Sequence, residues 1–367
     1  MTMTARSGAP PGLACPTCGA TYDPGPDEPW RCDRGHPLEF DASPRPDGSA
    51  PDPADIDRDR GLWAFEAFLP IEPRVTLGEG FTPLVDAPEW TATFKLDYLF
   101  PSGSFKDRGA ATTLSRAAEL GVEHLVEDSS GNAGAAIAQY AARAGIEAEI
   151  YVPADAKASK LRAIERAGAD VVRVEGSRED VTAACIEAVE TGESWYASHA
   201  WNPAFLAGTA TFAMEVAAQR GWEAPDAVVL PLGHGTMFLG AYRGFRALRE
   251  VGWIEEMPCL LGAQAEGYAP FVSGSDDAAN DIADGIHIRE PAREEGIREA
   301  IEETGGEVVA IGEADTEATL DRLHRAGFYV EPTCAVAPAA LERFRERGVL
   351  DGEADVVVAL SGSGLKG

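Results

Sequence analysis

From Gly61 onward, short apolar runs alternate with alanine-rich segments in which apolar residues return every third or fourth position. The runs 122–127 (VEHLVE), 147–152 (EAEIYV), 170–174 (DVVRV), 226–231 (DAVVLP), 259–264 (CLLGAQ) and 354–360 (ADVVVAL) predict strands. The helical spacing predicts helices over 107–120, 133–144, 157–167, 178–191, 205–220, 237–250, 291–303, 316–326 and 335–347. A further strand, KLDYLF (95–100), is expected before the proline-led turn at Pro101. Strands that are apolar throughout are buried on both faces, which is the condition of a parallel sheet covered by crossover helices. The pattern therefore predicts an α/β core with mostly parallel sheets. Ligands are expected at the carboxyl ends of the strands, in the strand–loop–helix junctions.

Residues 1–60 break this pattern. They are dense in Pro, Gly and Asp, hold three cysteines, and end in the polar stretch SPRPDGSAPDPADIDRDR. We read 1–40 as a small ribbon-like appendage, 41–60 as a linker and 61–367 as the core. The full chain has 367 residues, a length that suits two domains and an appendage. Six cysteines are too sparse for a disulfide framework in a chain of this length. Cys185, Cys259 and Cys334 sit in apolar or helical runs and are expected to behave as small buried hydrophobes.

Charge narrows the function. The formal net charge is −30, so nucleic acid and anionic membrane surfaces would be repelled. No uninterrupted apolar stretch has the length of a membrane span, and the start MTMTARSGAPPG lacks an apolar signal core, so a cytoplasmic protein is expected. Lysine occurs at 95, 106, 157, 160 and 366 alone, the other basic residues being arginine. An acidic excess with scarce lysine suits high internal salt, although codon bias toward arginine would give the same count. In either case a lysine in a small-residue loop stands out.

Four loops could carry chemistry. In Pro101-Ser102-Gly103-Ser104-Phe105-Lys106-Asp107-Arg108-Gly109, Lys106 falls near a helix N-terminus, where the helix dipole and desolvation both favour a neutral amine able to join a carbonyl. In Asp128-Ser129-Ser130-Gly131-Asn132-Ala133-Gly134, small residues bring backbone amides and hydroxyls toward an anion. Leu232-Gly233-His234-Gly235-Thr236-Met237 has the elements of a phosphate cradle. Ser361-Gly362-Ser363-Gly364 follows a buried strand directly, which puts Ser361 at the floor of a site. An amine, two anion cradles and a hydroxyl together suit a cofactor with an aldehyde, a phosphate and a ring nitrogen.

The motifs VTLGEGFTPL (75–84), SFKDRG (104–109), SSGN (129–132), LPLGHGTMFLG (230–240), GFYVEPTCAVAPAAL (327–341) and SGSGLKG (361–367) resemble those of threonine synthases, in the fold type II group of pyridoxal-phosphate enzymes. The resemblance implies two three-layer lobes, a small one at about 110–205 inserted in a large one, and a dimer of two copies. It implies that Lys106 holds pyridoxal phosphate as a Schiff base beside Phe105 and later moves protons between substrate carbons. Asn132 would bond the cofactor's 3-hydroxyl oxygen, and Gly233, His234, Gly235, Thr236 and Met237 would wrap its phosphate. Ser361 would face the ring nitrogen, where a hydroxyl makes a weaker electron sink than a carboxylate would. Ser129, Ser130, Gly131, Asn132 and Ala133 would hold a small amino-acid substrate by its carboxylate. The implied substrate is O-phosphohomoserine, with Lys157, Ser159, Lys160 and Arg162 as candidate partners for its phosphate. A dehydratase or a β-replacement enzyme would share these loops, and a retired scaffold that only binds a partner is a further alternative.

Two positions depart from the family pattern. His234 stands where a small residue or Asn is more common. In the ribbon, Cys15-Pro-Thr-Cys18 is intact, but Arg34 follows Cys32 where the fourth cysteine of a paired CxxC ribbon would be. His36 is the candidate fourth ligand, since tetrahedral zinc accepts three thiolates and one imidazole. The alternative is a metal-free ribbon with free thiols.

Overall fold

The computed structural model describes residues 9–192, 194–272 and 279–366, with the side chains of Ser159 and Lys160 outside that description. The chain forms two compact units, one of residues up to 46 with 59–79 and 106–208, the other of 47–58, 80–105 and 209 to the end. Among the described residues no helix is long and apolar enough to cross a membrane.

The first unit opens with three short antiparallel strands, β1 (Leu13–Ala14), β2 (Thr21–Tyr22) and β3 (Glu39–Phe40), in the order β2-β1-β3. Leu13, Cys15, Cys32 and Leu38 make a core too small to stand on apolar burial alone. The rest of this unit is a parallel sheet of β6 (His124–Glu127), β7 (Glu147–Pro153), β8 (Asp170–Val174) and β9 (Trp195–Tyr196), in the order β8-β7-β6-β9. Alternation assigns the faces. Leu125, Ile150 and Val152 meet α1 (Lys106–Leu120), α2 (Asn132–Ala144) and α3 (Ala158–Arg166). Val126, Tyr151 and Tyr196 meet Val181 and Cys185 of α4 (Arg178–Glu190) on the opposite face.

The second unit holds a six-stranded sheet of β4 (Leu84–Ala87), β5 (Ala92–Lys95), β10 (Ala227–Pro231), β11 (Cys259–Ala265), β12 (Glu307–Ile311) and β13 (Val356–Ala359). Its order is β12-β11-β10-β13-β5-β4, parallel except for β4. Phe94, Val229, Leu261, Val356 and Val358 pack on α8 (Glu313–Arg325) and α9 (Pro332–Glu346). The helices α6 (Thr236–Glu250) and α7 (Glu294–Glu303) also border this sheet, while α5 (Pro203–Gln219) carries the boundary between units at 208/209.

The expected helices all form, with no end moved by more than three residues. The strand expected at 95–100 is corrected: it lies at 92–95, and Asp97–Leu99 is a 3-10 turn in which the buried Asp97 carboxylate accepts from Thr82 Oγ1 at 2.6 Å. From the stretch read as a linker, the carbonyls of Gly48 and Pro51 accept from the indoles of Trp253 and Trp222.

Candidate active site

In the first unit, β6 delivers Glu127 and Asp128 to the sheet's carboxyl edge, and Ser129-Ser130-Gly131 turn the chain into α2. Asp128 is clamped: its carboxylate accepts from Tyr196 Oη at 2.8 Å, Thr182 Oγ1 at 2.7 Å and Arg178 Nη2 at 2.9 Å. The loop after it is thereby fixed to α4 and β9. Gly131 caps α2 without a side-chain acceptor, so the first amides of the helix keep their capacity to bind an anion. Asn132 is the first helical residue and is half-buried. A Cβ on Gly134 would lie 1.8 Å from the Ser129 carbonyl oxygen, so only glycine lets the helix approach the loop this closely.

Lys106 is the first residue of α1, half-buried, with Nζ 5.7 Å from the centre of the Phe205 ring. Gly109 makes room for that ring, because a Cβ there would come within 2.2 Å of it. Asp107, fully buried, accepts from Tyr140 Oη at 3.2 Å; the same hydroxyl lies 3.1 Å from Glu79 of the LGEGFTPL motif. Burial and these two carboxylates push the Tyr140 phenol far up, so it stays a donor and fixes the first turn of α1.

Beneath the loop, Glu127 Oε1 lies 2.7 Å from His199 Nδ1, with both residues buried. Burial, reinforced by the Asp128 charge, raises the Glu127 carboxyl well above its usual range. Neither residue was indicated by the sequence. The one available signal was a pair of acids closing an otherwise apolar strand.

In the second unit, β10 ends at Pro231 and Leu232-Gly233-His234-Gly235 lead into α6, whose first residues are Thr236 and Met237. Gly235 caps α6 in a left-handed conformation, again without a side-chain acceptor. All of this loop is buried except His234, which is half-buried. The C-terminal segment is not frayed. Phe105 N–H donates to the Ser361 carbonyl at 2.9 Å and Ser363 N–H to that of Gly103 at 2.9 Å, so the segment leading to Lys106 is sewn to the end of β13.

Ser361 is buried beside Cys334, and here the sequence reading is corrected. The Cys334 sulfur accepts from the amides of Ser361 at 3.1 Å and Gly362 at 2.9 Å, and its S–H is 3.1 Å from the Gly362 carbonyl. Burial and the Glu331 carboxylate push this thiol up to about 12. It is a hydrogen-bonding strut, not merely a small hydrophobe. Cys259 is only half-buried, with its thiol 3.4 Å from the Gly305 carbonyl, while Cys185 is an apolar core residue as expected.

Of the candidate phosphate partners, Lys157 caps α3 in solvent and Arg162 is exposed on it, while the side chains of Ser159 and Lys160 lie outside the described residues.

In the ribbon, the ligand atoms of Cys15, Cys18, Cys32 and His36 lie within 4.8 Å of one another. His36 Nδ1 is 3.5 Å from Cys32 Sγ and 3.9 Å from Cys15 Sγ, near the edges of about 3.5–3.8 Å that a zinc tetrahedron requires. Arg34 points to solvent. The ribbon is anchored on α1 by Arg116, fully buried, whose Nη2 lies 2.7 Å from Glu28 and 2.8 Å from the Pro11 carbonyl. Trp30 stacks edge-on against Tyr196, which also holds Asp128.

A family model described as pyridoxal-phosphate dependent enzyme matches residues 75–362. The chain is 31% identical to the threonine synthase of Methanocaldococcus jannaschii, over 96% of this chain and 92% of that one. It is 33% identical to the threonine synthase of Synechocystis, over 84% and 83% of the two chains. Among solved structures, maize serine racemase superposes with a TM-score of 0.69 at 21% identity, covering 84% of this chain and 93% of that one, which shows a shared fold.

Proposed function

The chain belongs to the pyridoxal-phosphate-dependent enzyme family, and within it we propose the threonine synthase reaction, in which O-phosphohomoserine and water give threonine and phosphate. The observation that carries this reading is the match to the Methanocaldococcus threonine synthase over 96% of this chain and 92% of that one, a span that leaves no room to omit the ribbon.

The residues fit the cofactor. Two helices, α2 and α6, begin at glycine caps that offer amides and no competing side-chain acceptor, as a carboxylate and a phosphate require. Lys106 supplies the amine, and Ser361 a buried hydroxyl. When bound, pyridoxal phosphate withdraws electrons from the substrate's α carbon and so makes its proton acidic. Gly233 to Met237 would hold the cofactor phosphate and Asn132 its ring oxygen, with Phe105 next to the lysine on the chain. Ser129, Ser130, Gly131 and Ala133 would orient the substrate carboxylate, with Lys160 the candidate partner for its phosphate. The Lys106 amine would take the proton from Cα and then one from Cβ as phosphate leaves from Cγ; a proton delivered to Cγ makes the methyl group, water adds at Cβ, and a proton returned to Cα completes threonine. The Ser361 hydroxyl favours this elimination and addition over transamination.

In the ribbon, Cys15, Cys18, Cys32 and His36 bind zinc, and the metal supplies stability that a core of four residues cannot. The resemblance also supports a cytoplasmic homodimer acting on a small amino acid, without nucleic acid or membrane as partner.

The test is product analysis. The purified protein is expected to release phosphate from O-phosphohomoserine in step with threonine, and borohydride reduction is expected to tag Lys106. Formation of 2-oxobutanoate from threonine, with no reaction on phosphohomoserine, would overturn the reading.

A further inference from the structure

The Glu127–His199 pair lies in the same unit as Lys106, close enough that the lysine's charge acts on the Glu127 carboxyl. Glu127 is completely buried, and its Oε2 has no hydrogen-bond partner among the described residues. A buried carboxylate within electrostatic reach of an amine favours the amine's charged form, and an ammonium ion can neither attack a carbonyl nor take up a proton.

The charges that act on Glu127 are those of Asp128, next to it on the chain, Arg178 of α4 on the other face of the sheet, and Lys106 of α1, while His199 reaches it from the segment before α5. Arg178 is taken up by Asp128, and Tyr196 donates to Asp128. His199 makes a short hydrogen bond to the Glu127 carboxyl, at 2.7 Å, and its ring is held 6.1 Å from that of Phe205, the same ring whose centre lies 5.7 Å from the Lys106 amine.

We propose that His199 is a positioning residue, which engages the buried Glu127 carboxyl so that it does not hold the Lys106 amine in its charged form. A proton shared within the pair cancels the carboxylate's charge whichever member carries it. This deepens the reading of Lys106 as the reactive amine and rests on it, but it does not depend on which amino acid is the substrate.

The test is the pH dependence of Lys106 itself. Full-length protein freed of cofactor is labelled with trinitrobenzenesulfonate across a pH series, and the modification of the Lys106 peptide is followed by mass. In His199→Asn the carboxylate loses its partner and turns to Lys106, so the labelling midpoint is expected to rise by about one pH unit, a tenfold slower reaction at fixed pH. In Glu127→Gln the counter-charge is gone and the midpoint is expected to fall. Circular dichroism establishes that both variants are folded, and His199→Gln replaces a His199→Asn protein that is not. Opposite shifts support the proposal, because a merely structural role moves both variants alike. Midpoints that coincide with wild type in folded variants, or shift in the same direction, overturn it. Failure to make threonine, with the opposite shifts intact, overturns the substrate assignment and leaves this inference standing.

Discussion

Replacing Lys95 by methionine isolates one buried charge in the second unit. Lys95 is wholly buried, and its ammonium donates to the Thr82 carbonyl at 2.6 Å, to Glu215 Oε2 at 2.8 Å and to Gln219 Oε1 at 2.8 Å. Methionine fills most of the volume but leaves the Glu215 carboxylate, itself wholly buried, without this cation. Breaking one side of such a pair costs about 3–5 kcal/mol. At about 2–4 °C per kcal/mol for a domain of this size, the melting temperature should fall by roughly 6–20 °C. The loss should also reach the site, because Lys95 pairs with Ala359 and its carbonyl accepts from Leu360, just before Ser361. Denaturant unfolding of wild type, Lys95→Met and Lys95→Met/Glu215→Leu measures the effect. The double variant should recover most of the loss, since apolar residues of similar volume replace a buried pair at little cost. Molar salt should not change the difference, because buried charges are poorly screened. A single variant within about 1 kcal/mol of wild type, or a double variant no better than the single, would refute the argument.

Gly134→Ala should shift α2 off the Ser129 carbonyl, lowering cofactor affinity at least about tenfold with a stability loss of about 1–3 kcal/mol; unchanged affinity in an equilibrium titration would contradict this. Zinc analysis should find about one ion per chain in wild type and a sharp drop in Cys18→Ser, and less than about 0.2 in wild type would remove the metal site. The Cys334 thiol is raised above its unfolded value of about 8.5, so it stabilises the fold fully below that pH and progressively less as pH climbs toward about 12. Wild type should therefore lose stability across that alkaline window more steeply than Cys334→Ala, and equal slopes in urea unfolding would exclude the strut.

Much of the architecture was legible because it rests on local chemistry. A continuous apolar run such as Ala227–Pro231 cannot be solvated on either face, and Gly131 or Gly235 before a run of alanines or apolar residues marks a helix start that a ligand can address. Hence the loops at Lys106, Ser129–Asn132, Gly233–Met237 and Ser361 could be singled out one by one. Strands whose existence depends on a distant partner escaped notice. β4 is an edge strand without a continuous apolar run, and β12 is specified by its register against β11.

The amino-acid order by itself determined the α/β class, the helices and the chemistry-bearing loops, because periodicity, glycine turns and helix starts act over a few residues. Only the tertiary structure decided which side chains meet. It set Cys334 beneath Ser361, brought His36 in place of a fourth cysteine, and joined Glu127 to His199 across 72 positions of chain. Contacts of that range depend on how strands and helices cross, and a linear pattern of polarity carries no record of it.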